Sequence, residues 1–398
     1  MDAVTVWARM VGQDDAVDVL RPAAAAAADI AAERPAAPGA MTHAWLFTGP
    51  PGSGRSVAAL CFAASLQCDR GGIGCGECGG CRLVLGRHHP DVRDVVPEGL
   101  SITVAEMRAV VGVADRRPSL GHWQVVLIED ADRLTEQASN ALLKSIEEPP
   151  PRTVFLLCAP STHPDDVMVT IRSRCRLLTL RTPGPEAVAA VLRSSGVDDG
   201  MAAWAAAASQ GHVGRARRLA SDPDARQRRA DVLSVPASLT SVGACMAAAD
   251  RLVRAAKAES DELTASRDAD ETEQLQAALG AGGTGKGTAA TTRGTVGVVR
   301  DLEKRQKARS TRTQRDALDR ALIDLAGFYR DVLLELNGST IARAHPDLAG
   351  DVTGVARRVD SAGALQRLEA VLACRGALDL NVKPQIAVEA LTATLLLP

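Results

Sequence analysis

Three short stretches of this sequence place reactive residue types at spacings that chemistry uses. Residues 49–56 read Gly-Pro-Pro-Gly-Ser-Gly-Arg-Ser, the G-x-x-x-x-G-K-[ST] pattern of a phosphate-cradling loop at every constrained position but one. In such a loop Gly49, Gly52 and Gly54 would let successive N–H groups turn toward phosphates. A helix N-terminus adds partial positive charge, and lysine reaches the β/γ-phosphates. Here Arg55 replaces that lysine and Ser56 follows it; a longer, planar, forked guanidinium is not a conservative exchange. The second stretch gathers Cys68, Cys75, Cys78 and Cys81 among six glycines. Four thiolates at this spacing suit tetrahedral Zn2+, and a complete ligand set leaves no open position for catalysis, so the metal would be structural. Reduced thiols or disulfides are the alternative, which a reducing compartment disfavours for disulfides. His88 and His89 read as loop residues, and Cys61, Cys158, Cys245 and Cys374 as core.

The third stretch, Val125-Val-Leu-Ile-Glu129-Asp130-Ala-Asp132, is an apolar strand ending in carboxylates. A P-loop ATPase places its magnesium ligand and its water-polarising acid there. The usual order is Asp then Glu, whereas here Glu129 precedes Asp130. A glutamate could still reach Mg2+ through water. An aspartate at 130 holds its carboxyl ~1.5 Å farther from the attacking water, one C–C bond, and misplacement by ~1 Å costs about a hundredfold in rate.

These residues need a scaffold that brings the ends of separate strands together. Short apolar runs at 44–48, 92–96, 125–128, 154–158 and 177–180 alternate with helical patterns at 56–67, 103–113 and 136–147. That alternation predicts a parallel, doubly wound α/β sheet. Thr103 with Glu106 has capping-box spacing, and Pro149–Pro151 stop the third helix. The alanine run within 18–33 reads as a surface helix entered or kinked near Pro22. Helices at 186–192, 201–209 and 215–220 suggest a small second domain, and beyond Pro236 the pattern is helical. Residues 280–297, rich in Gly, Thr and Ala, read as a flexible insertion between charged flanks. They contain Gly280-Ala-Gly-Gly-Thr-Gly-Lys-Gly287, a near P-loop without the hydroxyl residue or a preceding strand.

Forty-six Lys+Arg against 48 Asp+Glu in 398 residues leave no global basic field, which argues against an autonomous nucleic-acid binder. No stretch reads as a signal sequence or approaches the ~18 apolar residues of a membrane span, so a cytoplasmic chain with no membrane partner is expected. The basic stretch from Arg300 to Arg315 alternates with acids and reads as a solvated helix face.

Glu129-Asp-Ala-Asp-Arg-Leu-Thr, Asn140-Ala-Leu-Leu-Lys-Ser-Ile-Glu-Glu-Pro-Pro150 and Ser173-Arg-Cys175 resemble the bacterial DNA polymerase III clamp-loader subunits. So do the cysteine module after the first helix, Val11-Gly-Gln13 as an adenine-side box, and Leu380-Asn-Val-Lys-Pro-Gln385 near the end. The resemblance is strong over 1–235, weak over 320–398, and finds no counterpart around 258–312. It implies an AAA+ P-loop domain with its zinc module (1–182), a small helical lid (183–235), and an all-α collar (236–398) with a flexible insertion at about 258–312. The family includes an ATP-hydrolysing tau/gamma type and a delta-prime type with a degraded ATP site. Arg55, the Glu129-Asp130 order and the apolar Leu157-Cys-Ala-Pro160 align with the latter. The delta-prime type implies a heteropentamer with tau/gamma and delta that loads the sliding clamp onto primed DNA as part of the DNA polymerase III holoenzyme. It also implies that Arg174 serves as an arginine finger toward ATP on a neighbour, with doubtful ATP/Mg2+ binding at Gly49, Gly52, Gly54, Arg55, Ser56, Glu129 and Asp130. Gly211-His-Val-Gly-Arg215 resembles the region of the second-domain sensor arginine. The tau/gamma-type ATPase is the alternative.

Overall fold

The computed structural model describes residues 5–279 and 292–396. Two compact units divide them, Met1–Pro97 with Ser101–Ala220, and Glu98–Leu100 with Ser221–Pro398. The division falls at Ala220, short of the expected lid–collar boundary at 235. The helices over 185–220 stay with the sheet, and Pro223–Leu233 goes to the second unit.

The first unit is built on β1 (Ala44–Thr48), β2 (Val92–Val95), β3 (Gln124–Ile128), β4 (Thr153–Ala159) and β5 (Arg176–Thr179), all parallel in the order β2-β3-β4-β1-β5. β1, β3 and β4 are buried along their whole length, as uninterrupted apolar runs covered on both faces must be. Alternate residues divide between the two faces. Trp45, Phe47, Val125, Leu127, Leu156 and Cys158 meet one core with α1 (Asp14–Ala31), α2 (Arg55–Leu66) and α3 (Gly79–Leu85). Leu46, Val126, Ile128, Phe155 and Leu157 meet another with α4 (Val104–Ala114), α5 (Glu136–Glu147) and α6 (Val169–Arg172). The capping box forms: Thr103 N–H donates to Glu106 Oε2 at 2.6 Å, and Glu106 N–H to Thr103 Oγ1 at 3.4 Å. Helices α7 (Pro185–Ser194), α8 (Asp199–Ala208) and α9 (Val213–Ser221) follow the sheet.

The alanine run differs from the surface helix expected of it. Ala23, Ala24, Ala26 and Ala27 are buried, and α1 continues through Pro22 from Asp14 to Ala31. Small side chains make this face useful, since they admit close approach. A Cβ on Gly72 would lie 2.5 Å from the Ala24 carbonyl oxygen.

Asp91, just before β2, ties down the turn that leads into β3. Its carboxylate accepts from Ser119 N–H and Oγ–H, each at 2.7 Å, Leu120 N–H at 2.7 Å and Gly121 N–H at 2.6 Å. Burial alone would push this carboxyl up, but the donors overcome it and hold it below the usual carboxylate range. Asp91→Ala would leave three backbone donors without their anion and is expected to cost about 3 kcal/mol. All four tryptophans (Trp7, Trp45, Trp123 and Trp204) lie in the first unit, so the urea midpoint of tryptophan fluorescence reads this loss directly.

In the second unit, α10 (Pro223–Leu233), the short α11 (Val235–Ser238), α12 (Val242–Ala278), α13 (Thr292–Leu336), α14 (Ala349–Ala356), α15 (Ser361–Asp379) and α16 (Pro384–Leu396) surround one apolar core. Here the expected flexible insertion over 258–312 is corrected for its described residues, because 258–278 continue α12 and 292–312 begin α13. Polar contacts join the two helices where the apolar stripe ends. Ser260 Oγ donates to the Ser310 carbonyl at 2.8 Å, and Arg309 meets Asp268 at 2.6 Å and Glu271 at 2.9 Å. Along α12, Lys257–Asp261 and Arg267–Glu271 add i,i+4 pairs. The near P-loop Gly280–Gly287 lies outside the described residues.

His345 is fully buried in this unit. Arg229 Nη2 donates to its Nδ1 at 2.8 Å, and Nε2 donates to the Asp324 carbonyl at 3.0 Å, which fixes the neutral Nε2–H form. Burial first, and the Arg229 cation second, lower its pKa; the carboxylates of Asp324 and Asp331 pull the other way and lose. Asp331 accepts the N–H groups of Ala344 and His345, and Asp347 pairs with Arg229. With the folded pKa below the unfolded value of about 6.5, this histidine adds no pH dependence above 6.5. Below it the unfolded chain binds the extra proton, and stability falls by up to about 1.4 kcal/mol per pH unit. Urea unfolding followed by circular dichroism at neutral and mildly acid pH is expected to show that fall, and His345→Gln to flatten it.

Candidate functional site

The loop after β1 has the backbone its glycines predict. Gly52 and Gly54 sit at φ 87° and 86°, and Gly54 is the left-handed N-cap of α2, whose first residues are Arg55 and Ser56. At Gly52 a side chain would be strained by this φ and would press on His212, since an added Cβ would stand 3.0 Å from its Cα and Cβ. Gln13, in the expected adenine-side box, braces the loop from behind. Its Nε2 donates to the Ser53 carbonyl at 3.0 Å and to the Arg181 carbonyl at 2.5 Å, while its Oε1 accepts Arg181 N–H at 3.2 Å.

Glu129 and Asp130 leave the C-terminal end of β3, and the turn Ala131–Arg133 carries Asp132 beside them. Burial, then the charge of Asp130, raise the Asp132 pKa, and Arg55 pulls it back. Cys158, at the end of β4, is raised by burial and by the same acids, with Arg55 again opposing. Arg55, Glu129 and Asp130 are therefore brought into one electrostatic neighbourhood at the C-terminal ends of β1, β3 and β4. The guanidinium is only partly engaged, for Arg55 Nη1 is buried without a hydrogen-bond partner. In Leu157-Cys-Ala-Pro160, the stretch where the resemblance leads one to expect a polar sensor, Cys158 is a fully buried thiol.

Sequence reasoning missed Arg87, which enters this neighbourhood from the turn after α3. Its Nη2 lies 2.5 Å from Glu129 Oε1, and its Nη1 pairs with Asp94 on β2. No motif marks it, because its partners are separated from it in sequence and joined only by the register of β2 on β3.

Cys68, Cys75, Cys78 and Cys81 converge, with all four Sγ atoms within 4.8 Å of one another. Such a set fits one soft metal ion with four thiolates. Backbone amides already point at the sulfurs: Cys75 N–H at Cys68 Sγ (3.5 Å), Cys78 N–H at Cys75 Sγ (3.4 Å) and Cys81 N–H at Cys78 Sγ (3.4 Å). Burial pushes the Cys81 thiol up. Burial acts on Cys75 in the same sense, yet donors from Glu77 and Cys78 bring that thiol down to about 7. The glycines make the wrap possible, with Gly71, Gly72, Gly74 and Gly76 between φ 67° and 76°. His89 is buried but accepts Asp91 N–H through Nδ1 at 3.2 Å, a loop role as expected.

Arg174 stands elsewhere. It follows α6 and precedes β5, exposed, with Nη2 2.7 Å from Glu147 Oε1 and Nη1 donating to the Thr170 carbonyl at 2.9 Å. Register pairs Arg176 with Trp45 and Thr179 with Thr48. Arg174 therefore lies beyond the N-terminal end of the sheet, whereas the glycine loop leaves the C-terminal end of β1. At about 3.3 Å per residue the strands alone separate the two by well over 10 Å.

A parallel sheet ordered β2-β3-β4-β1-β5, with a phosphate-binding loop after β1 and acids after β3, defines a P-loop domain of the AAA+ type. Residues 30–184 match the family described as DNA polymerase III, delta subunit. It is 40% identical over 149 residues to a DNA polymerase III subunit delta' of Pseudomonas aeruginosa, covering 36% of this chain and 45% of that one. To subunit delta' of Bacillus subtilis it is 33% identical over 196 residues, 49% and 59% of the two chains. Subunit tau of Bacillus subtilis shares 33% identity over 138 residues, 34% of this chain and 24% of that one. The matched stretch spans about half the length of these delta-prime relatives. Among the described residues, no helix is long and apolar enough to cross a membrane.

Proposed function

We propose that this chain is a clamp-loader subunit of the delta-prime type. It would assemble with tau/gamma and delta in a heteropentamer, help load the sliding clamp onto primed DNA, and present Arg174 to ATP bound by its neighbour. The observation that carries this reading is the position of Arg174 at the opposite end of the strands from the chain's own glycine loop. An arginine there cannot serve its own site and is free to serve another. A guanidinium suits the task, being permanently charged and able to spread donors over transferring phosphoryl oxygens. Glu147 holds it in the isolated chain and would release it to a phosphate of higher charge.

The chain's own nucleotide site supports a non-hydrolysing role. Arg55 replaces the phosphate-binding lysine, the acids run Glu129 then Asp130, Glu129 is paired with Arg87, and Cys158 offers no polar sensor. In this reading Cys68, Cys75, Cys78 and Cys81 hold a structural Zn2+ that supplies cross-linking and no chemistry. The second reading, a tau/gamma-type ATPase, draws on the shared matched segment and the intact glycine geometry. The deciding experiment is reconstitution with tau/gamma and delta, comparing wild type with Arg174→Ala for ATP turnover and clamp loading. Unchanged rates would overturn the finger, and robust ATP hydrolysis by the isolated chain would favour the second reading.

A further inference from the structure

The carboxylate that a hydrolysing P-loop site gives to magnesium is taken, in this chain, by one of its own arginines. Asp94 pairs in register with Leu127, two residues before Glu129, so both carboxylates project from the same face of the sheet. Arg87 stands against both as an ion pair by proximity, with Nη2 2.5 Å from Glu129 Oε1, an oxygen that makes no aligned hydrogen bond, and with Nη1 on Asp94. The backbone is committed to this placement. Arg87 N–H donates to the Val84 carbonyl at 2.9 Å and His88 N–H to the Leu83 carbonyl at 2.8 Å, the paired bonds of a Schellman ending to α3. They put Arg87 at φ 60°, a left-handed conformation where glycine is the ordinary occupant. A long cationic residue held there against its preference, with its charge between two inward-facing carboxylates, points to a role for the side chain.

We propose that Arg87 is a built-in counter-cation that pre-empts divalent metal at Glu129. Magnesium requires near-octahedral oxygen ligands at short range. Here one Glu129 oxygen already faces a guanidinium, and an arriving ion would meet a fixed positive charge beside it. The residues present therefore do not fit a bound Mg2+, and no step of nucleotide hydrolysis is routed through them. The inactive site is thus maintained by an added residue as well as by the altered loop and acids. This goes beyond the role assigned to Arg174 and does not depend on it, because the ion pair lies within one chain and its test needs no partner.

The test uses the full, zinc-loaded chain and Mn2+ alone as the probe, followed by calorimetry and by the electron paramagnetic resonance of free Mn2+. Arg87→Gln is expected to bind Mn2+ at least about tenfold more tightly than wild type, since one positive charge beside the carboxylates is removed. Glu129→Gln in that background should abolish the gain, and Arg87→Lys, which keeps a cation, should stay near wild type. The proposal is overturned if Arg87→Gln, with zinc content and circular dichroism unchanged, binds Mn2+ no better than wild type. Should Arg87→Gln fail to fold, wild type against Glu129→Gln decides: equal, weak binding is expected, and saturable wild-type binding lost in Glu129→Gln overturns it. ATP turnover of the reconstituted complex is a separate readout, so failure here leaves the Arg174 assignment standing or falling on its own data.

Discussion

If the proposed function holds, Arg174→Ala, reconstituted with tau/gamma and delta, is expected to suppress hydrolysis at the neighbouring ATP site and to slow clamp loading with it. An arginine finger supplied in trans is worth about 10³–10⁵ in turnover at the site it serves. If other sites in the complex keep their own fingers, total turnover falls by less than this factor. Single-turnover hydrolysis, which resolves the affected site from the others, therefore shows the effect more fully than steady-state hydrolysis. Arg174→Lys separates charge from geometry, because lysine keeps the cation but cannot spread planar donors over several oxygens. It is expected to recover little. Glu147→Gln works in the opposite sense, removing the intramolecular partner at 2.7 Å; it should leave loading intact. Arg174→Ala should also leave assembly and melting temperature unchanged, since the side chain is exposed and its surface ion pair contributes at most about 1 kcal/mol. A fall in loading accompanied by failed assembly would assign Arg174 to the interface and remove it from the chemistry.

Much of this geometry is legible in the sequence because its determinants are local. A strand covered on both faces must be apolar throughout, which is why residues 44–48, 125–128 and 154–158 stand out and fall within one residue of the observed strands. The glycine loop and the cysteine module are likewise contiguous, and Gly49, Gly52, Gly54, Gly71, Gly72, Gly74 and Gly76 all lie at positive φ, where glycine is the ordinary occupant. Arg87 is illegible for the opposite reason. Its meaning comes from β2 lying beside β3, which sets Asp94 and Glu129 side by side, and no spacing along the chain encodes that.

Two misreadings have separate causes: helix propensity says that the alanines form a helix and nothing about which face is covered, and the Gly-, Thr- and Ala-rich composition of 280–297 was extended to flanks that have helix-forming sequences of their own. The alanines of α1 contribute little apolar area each, yet their small size lets the cysteine module and the sheet approach, so they are buried. Along residues 258–278 the helix-to-helix seam changes from Leu252 and Ala256 to Ser260 and Thr264, both buried. A search for an apolar stripe stops there, although hydrogen bonds and the Arg309 cluster continue the pairing. Good helix formers and i,i+4 ion pairs were present in the sequence throughout this segment, and they were the signal to weigh against the nearby glycines.

Stripping the metal from the cysteine module is expected to loosen much more than the module. Besides its four sulfurs, the loop holds the N-terminal segment: Gly74 accepts Val6 N–H at 2.8 Å through its carbonyl, and Ile73 accepts Trp7 Nε1–H at 3.0 Å. It also packs on α1 at Ala24 and on α2, where a Cβ on Gly80 would stand 1.9 Å from the Gln67 carbonyl oxygen. Cys68, Cys75 and Cys81 belong to the same core as Trp45, Phe62 and Leu20, so the metal would be coupled to the packing of one whole face of the sheet. Structural zinc in zinc-finger peptides binds with about 10–16 kcal/mol. A sheet with its own core needs only part of that, and loss of the ion is expected to cost about 3–5 kcal/mol, near 10 °C in melting temperature for a unit of this size. Elemental analysis of the purified chain should find one zinc. Chelation, or Cys81→Ser, should lower the tryptophan-monitored melt, and added Zn2+ should restore it after chelation but not in Cys81→Ser. Because the second unit has its own apolar core and none of the four cysteines, its helical melt should shift less. A chelated chain that melts like the untreated one would show that reduced thiols fill this space by packing alone.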